Sequence, residues 1–222
     1  ASLAIDPDSG RLYVAWRRFA KNGIIINDGD AIMLSWTTNT CWGRFLGRSL
    51  SFSIPRVVAE ITPFDQPTDV TMFRSNTYPT ITVDNQGIVY LAWSQRNASG
   101  YARVVVKTFN SKTQTWQGPF TVCNENNEYV WGHQFMPSLS YAAGKVSLAW
   151  YDQRYDICDV PSYYIDDKPT NPLRHTIDIR ATQFNPGPIP VFPKSIQVSK
   201  YPWLLYVENS ELWAKQLVHF KP

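Results

Sequence analysis

Arginine closely follows the tryptophan of three like stretches in this chain. Trp16 is followed by Arg17 and Arg18, Trp93 by Arg96, and Trp150 by Asp152, Arg154, Tyr155 and Asp156. Guanidinium groups converging on one surface could grip a carboxylate or sulfate bidentately, and nearby Trp or Tyr rings could stack on sugar faces. A plainer use of the same residues is local: each Arg pairs with an acidic loop neighbour. The offsets from Trp differ between the three places, and alternate strand positions point to opposite faces, so local pairing is favoured. Carboxylates raise a second chemistry. Asp152 with Asp65 or Asp69 would make a paired-carboxylate glycosidase, a mechanism decided by carboxyl separation.

Other chemistry finds less support. Asp6-Pro7-Asp8-Ser9-Gly10 and Asn27-Asp28-Gly29-Asp30 look like fragments of a calcium loop. Neither has the full ligand spacing or a bidentate Glu, and tight turns select the same residue types. Asp166-Asp167 reads as a solvated loop. His133, His175 and His219 form no His-Glu-x-x-His pattern, and neither a Gly-x-Ser-x-Gly elbow nor a phosphate-cradling Gly loop is present. Cys41, Cys123 and Cys158 have no Cys-x-x-Cys spacing, which excludes a zinc-finger site. Three buried free thiols are favoured over one disulfide with a thiol left over. No metal and no cofactor is expected. The formal charge of +3, without a basic run among aromatics, points away from nucleic acid. No apolar stretch reaches the roughly 18 residues of a membrane span.

The elements that must position these residues are repeated hairpins. Ser2–Asp6 with Gly10–Trp16, Pro79–Asp84 with Gly87–Trp93, and Pro137–Tyr141 with Gly144–Trp150 share one register, in which Ala-Trp ends six residues after a Gly. Each hairpin is followed by a polar loop and a second strand pair. These are Ala31–Trp36 with the stretch around Val57–Ile61, Ala102–Thr108 with Gly118–Cys123, and Thr176–Thr182 with Ser195–Ser199. The runs are β-branched, alternating and bounded by Gly, Pro or Asn, and no segment has helical periodicity. The prediction is a single all-β domain of four-stranded antiparallel units at about 1–62, 77–124 and 135–199, with a terminal hairpin at 201–220. Repetition at tens of residues is the mark of a solenoid or propeller, and 222 residues with 14% aromatics suit one such domain. Ala1 falls where the other units have Pro79 and Pro137, so the chain is expected to open inside a repeat, as a processed, trimmed or partial chain. Three units and a hairpin are too few for a closed six-bladed ring. A partial propeller completed by further sequence or by another chain is therefore expected.

The idealised hairpin, Pro-Ser-Ile-x-Val-Asp-x-x-Gly-x-Val-Tyr-Val-Ala-Trp, resembles blades of the sialidase-like propeller superfamily with its BNR or Asp-box repeats. That family's box, Ser-x-Asp-x-Gly-x-Thr-Trp, is echoed by Ser35 and Trp42 of one stretch and by Thr115-Trp116 of another, while the region around Asn185-Pro186-Gly187 has lost it. The box Asp is absent from every copy. A working sialidase of this superfamily uses three Arg, an Asp acid/base and a Glu-activated Tyr. Here Phe52-Ser53-Ile54-Pro55-Arg56 places Arg after Pro instead of before Ile, so the catalytic role is not carried to Arg56, and no Tyr–Glu pair can be assigned.

The resemblance implies that loops after each second strand and loops between blades share one ligand-binding face. That face would gather Arg17, Arg18, Arg96, Asp152, Arg154, Tyr155 and Asp156, with Asp65, Asp69, Arg74, Glu128, Tyr129, Trp131 and His133 from the loops between blades. The expectation drawn from it is a non-catalytic, secreted or cell-surface module that binds a glycan or a protein. Its rivals are a sialidase-like hydrolase acting on acidic glycans and a scaffold subunit of a larger extracellular assembly, docking through the loops 62–77, 124–136 and 155–175. The acceptor Asn97-Ala98-Ser99 would carry a glycan only in a secreted chain.

Overall fold

Gly10, Gly87 and Gly144 lie at the turns of the three repeated hairpins with φ of 66°, 82° and 74°, the left-handed region in which a Cβ is strained. Two of these turns are stapled by the Asp that ends the first strand. Asp6 Oδ1 accepts the Asp8 amide at 3.0 Å, and Asp84 Oδ1 accepts the amides of Gln86 and Ile88 at 2.9 and 2.8 Å. Turn chemistry thus accounts for the calcium-like look of Asp6-Pro7-Asp8. In the third hairpin Ala143 joins Gly144 at positive φ, the two-residue turn whose twist matches antiparallel strands.

The computed structural model describes residues 1–20, 29–38, 49–65, 75–123, 132–154, 175–200, 203–208 and 211–216. Within them the chain is all-β and contains no helix, hence none long and apolar enough to cross a membrane. Sheet 1 runs β1 (Ser2–Ile5), β2 (Leu12–Arg18), β3 (Ala31–Trp36), β4 (Arg56–Glu60), each strand antiparallel to the next. Sheet 2 repeats this with β5 (Thr80–Val83), β6 (Ile88–Arg96), β7 (Ala102–Asn110) and β8 (Thr115–Thr121). Strand β8 begins earlier than the expected Gly118, because Trp116 pairs with Phe109 and their rings meet tilted at 4.6 Å. Sheet 3 contains β9 (Gln134–Ala142), β10 (Lys145–Asp152), β11 (His175–Phe184) and the short β12 (Ile196–Gln197). The terminal hairpin, β13 (Trp203–Glu208) and β14 (Glu211–Gln216), joins sheet 3 by pairing Trp203–Leu205 with His175–Ile177.

The sheets stack face to face in chain order. One core layer holds Tyr13, Ile32, Leu34 and Trp36 of sheet 1 against Ile81, Leu91, Trp93 and Phe109 of sheet 2. A second holds Tyr90, Val104 and Val106 of sheet 2, with Cys123 just beyond β8, against Leu139, Leu148, Trp150 and Phe184 of sheet 3. Sheet 2 is covered on both sides, so β6 is buried from Ile88 through Ser94, whereas β2 and β10 alternate. Polar ties reinforce the stack. Lys107 donates to Val58 O at 2.7 Å, and the Gly187 amide to the Tyr90 hydroxyl at 2.6 Å. The Tyr90 hydroxyl itself donates to Asp84 Oδ2 at 2.9 Å. The first strands β1, β5 and β9 lie side by side, with an open cleft of about 340 Å³ between them lined by Leu3, Ile5, Thr82, Val83 and Tyr141.

Candidate functional site at the strand ends

The ends of β2, β4, β6 and β10 and the starts of β3, β5, β7, β9 and β11 lie at the same end of the three sheets. This rim carries Arg17, Arg18, Asp65, Arg96, His133, Asp152 and Arg154. Asp69, Trp131 and Tyr155, with Arg74, Glu128, Tyr129 and Asp156, lie outside the described residues.

Arg17 stands where sheet 1 meets sheet 2. Its Nε and Nη2 donate to Asp30 Oδ1 at 2.8 and 2.7 Å, and Nη1 donates to Asp65 Oδ1 at 2.6 Å. Burial alone would lower the pKa of this guanidinium, but the hydrogen bonds to Asp65 and Asp30 outweigh it and leave the pKa raised. Asp65 is brought there by the segment that follows β4. Ile61 bonds back to Asp30 of sheet 1, while Thr62 O accepts the Arg96 amide of sheet 2, each at 2.9 Å. Phe64 and Asp65 therefore cap the junction of the two sheets. Arg18 points its Nε and Nη2 to Gly29 O at 3.3 and 3.2 Å.

Phe64 is the hub of the middle of the rim. The Arg96 guanidinium lies 5.9 Å from its ring centre, and His133 stacks on it at 4.6 Å. His133 Nδ1 accepts the Ala102 amide at 3.1 Å, which assigns the proton of the neutral ring to Nε2. That ring is a packing and acceptor group between β7 and β9.

The junction of sheets 2 and 3 holds a buried charge cluster around Asp152. Its Oδ1 accepts from Arg154 Nε at 2.8 Å and from the Arg154 amide at 2.9 Å. Its Oδ2 accepts from Arg154 Nη2 at 2.7 Å, Trp150 Nε1 at 2.9 Å and Gln134 Nε2 at 3.3 Å. Arg103 donates to Gly132 O at 2.6 Å, and Arg180 donates to Ser195 Oγ and O, each at 2.9 Å. Asp178 sits across from Asp152 in the β10–β11 register and accepts Gln197 Nε2 at 2.9 Å and Ser199 Oγ at 3.2 Å. Burial raises the pKa of Asp178, with like-charged Asp152 adding to it and Ser199 opposing; burial likewise lowers that of Arg103, against the pull of Asp152. Cys123 lies beside this cluster, a buried thiol that is in no disulfide and that accepts from Arg154 Nη2 at 3.7 Å. Cys41 and Cys158 are outside the described residues.

Arg17 and Arg154 thus take Asp partners, in Asp30 and Asp65 for one and Asp152 for the other, as local pairing anticipates. Arg96 packs on an aromatic ring. What the residue pattern did not reveal is a pair of open rings on this rim. Phe19, just past β2, and Tyr78, just before β5, are 52% and 48% exposed and meet edge to face at 6.4 Å. The Arg17 guanidinium stacks 4.4 Å from the Phe19 ring centre, behind the pair. The signal was present, since both positions flank strands at the predicted face. Arg103, Gln134, Asp178 and Arg180 carried none, because nothing in the order of residues marks a buried charge. A smaller regularity was also missed: the Trp indole donates two residues on, from Trp93 to Gln95 Oε1 at 2.8 Å and from Trp150 to Asp152. Arg18 stands at that place in the first unit.

Among the described residues no group of three or more His, Cys, Asp or Glu is arranged to hold a metal ion. No protein-family model and no curated protein matches the chain.

Proposed function

We propose that this chain is a non-catalytic glycan-binding module of the sialidase-like propeller type, its three sheets acting as successive blades and its rim meeting the ligand. Support for the blade reading comes from the face-to-face stacking of like sheets with their first strands side by side. The β7–β8 turn fits it too, lying at the end away from the rim, where Asn110 Oδ1 accepts the Lys112 and Thr113 amides at 2.9 and 3.1 Å. The reading places the protein outside the cell or on its surface.

The observation that carries the binding role is the Phe19–Tyr78 pair. Two half-exposed rings held edge to face offer stacking surface for a sugar ring. Behind them Arg17 is neutralised by Asp30 and Asp65, so its role is to hold the platform. Hydrolysis by Asp152 has less in its favour, because both carboxylate oxygens are occupied by donors and a general acid needs one free for its proton. A scaffold role is the second reading, favoured by an exposed apolar sheet face described below.

A glycan array probed with the full chain, run beside a hydrolysis screen on acidic glycans, tests the proposal. Binding is expected without turnover, with Phe19→Ala and Tyr78→Ala each weakening it about tenfold or more while the thermal midpoint is kept. Turnover by the parent chain would overturn the non-catalytic reading, and silence in both assays would leave the scaffold reading in its place.

A further inference from the structure

The same repeat position is buried in two sheets and open in the third. Ile81 and Val83 of β5 are each 5% exposed beneath sheet 1, and Leu139 of β9 is 8% exposed beneath sheet 2. Their counterparts in β1, Leu3 and Ile5, are 64% and 65% exposed. The second strands agree. Val89, Leu91 and Trp93 are covered by sheet 1 and Val146, Leu148 and Trp150 by sheet 2, whereas Leu12, Val14 and Trp16 are only half-buried. Val57 of β4 is a further exposed apolar residue, 47% open, though Met33 between it and Trp16 in the register is buried. Sheet 1 therefore presents an apolar front of the kind that the other two sheets cover.

The outer face of sheet 3 offers what that front meets elsewhere. Ala15 and Ala92, each preceding its Trp, are the small residues on the backs of sheets 1 and 2, and both are fully buried under the next sheet. Ala149 holds this position in sheet 3, paired with Ala181, and Tyr151 pairs with Ile179 beside it. A hydrogen-bond register joins the first strands of sheets 2 and 3. Thr80 and Thr82 on the back of β5 accept the amides of Leu139 and Tyr141 in the next sheet, at 3.3 and 3.1 Å. Ser138 and Ser140 occupy those hydroxyl positions in β9 and are exposed. By the same register their donors would be the amides of Leu3 and Ile5.

We propose that two copies of this chain associate head to tail, the front of sheet 1 in each seated on the back of sheet 3 in the other. A second copy is the occupant chosen because both halves of the contact, apolar front and small hydroxyl-bearing back, are on this one chain. One contact leaves one face of each copy open, and a twofold axis joins these in a second identical contact, closing a ring from two sets of three sheets. The contact makes no use of the rim, so the glycan result does not bear on it.

Light scattering with size exclusion on the full chain is expected to give twice the 25.4 kDa chain mass. A single-chain mass at tens of micromolar, or an unbounded ladder of larger species, would overturn the closed pair. Leu3→Glu and Ser140→Glu each place a charge on one half of the contact, at exposed positions that leave the fold intact by circular dichroism. Each alone should shift the mass to one chain, and mixing the two should restore a 1:1 species, since one native contact survives in the mixture. Dissociation by Leu3→Glu with no effect of Ser140→Glu would mean that two sheet 1 faces pair with each other, against the proposal. Hydrogen exchange on the unmodified chain is an independent readout: the Leu3 and Ile5 amides should slow as concentration rises, and exchange that ignores concentration would count against association.

Discussion

Asp152 shows what a buried charge is for in this molecule. Fully sheltered, it joins β10, the Trp150 indole, Gln134 of β9 and Nε and Nη2 of Arg154, so it ties together the rim end of sheet 3, and Arg154 in turn reaches Cys123 beyond β8. Removing one partner of such a pair strands the other as an uncompensated charge, at a cost of about 3–5 kcal/mol. Asp152→Asn is expected to lose that much in urea denaturation at neutral pH, and a loss under 1 kcal/mol would show that Arg154 finds another partner. Asp178 behaves in the opposite sense. Its pKa is raised mainly by burial, so the folded state holds the proton more tightly than the unfolded chain, and stability falls as pH rises from the unfolded value toward the folded one. Above that window the penalty is constant. Asp178→Asn, which keeps an acceptor for Gln197 and Ser199, should therefore be more stable than the parent at pH 7 and level with it near pH 3. Denaturation curves at the two pH values check the sign.

At the scale of strands, the Gly-to-Trp register was enough to read the hairpins, because a left-handed Gly at the turn and alternating apolar positions along the strands are both demanded by local geometry. The pairing of the terminal hairpin with β11 was not readable, since strand propensity does not name a partner. Nor was the bond from Arg17 to Asp65, which spans 48 residues and exists only once the segment after β4 has crossed to sheet 2. The start of β9 shows how tightly such crossings are made. Gly132 has φ of 67°, and a Cβ there would lie 2.3 Å from Gln153 O, next to the bond from the Gln153 amide to His133 O. Gly100 has φ of 82° with nothing within 4 Å of its would-be Cβ. Gly100→Ala should cost about 1–2 kcal/mol, the strain of the dihedral alone. Gly132→Ala should cost clearly more, because the backbone of Gln153 must also move. Equal shifts in urea midpoint for the two variants would mean that the backbone of Gln153 yields easily.

For the whole molecule, the three repeated Trp residues measure how far each sheet is covered. Trp93 and Trp150 are sealed between sheets, and truncating such a side chain costs about 3–5 kcal/mol in lost burial and residual cavity. Trp16 holds the same place in sheet 1 but is only partly buried, so Trp16→Ala should cost less in dilute solution, where a single copy leaves that face to water. A head-to-tail partner changes this, because anything that binds only the folded state adds stability in proportion to its occupancy. The cost of Trp16→Ala should then grow as protein concentration is raised, while those of Trp93→Ala and Trp150→Ala stay constant. Thermal midpoints of the parent and the three variants, taken across a hundredfold range of concentration, separate the cases: parallel lines for Trp93→Ala and Trp150→Ala, and a widening gap for Trp16→Ala. A gap that stays fixed for all three would mean that the front of sheet 1 remains in water at every concentration, and that the burial of its counterparts reflects only their place inside the stack.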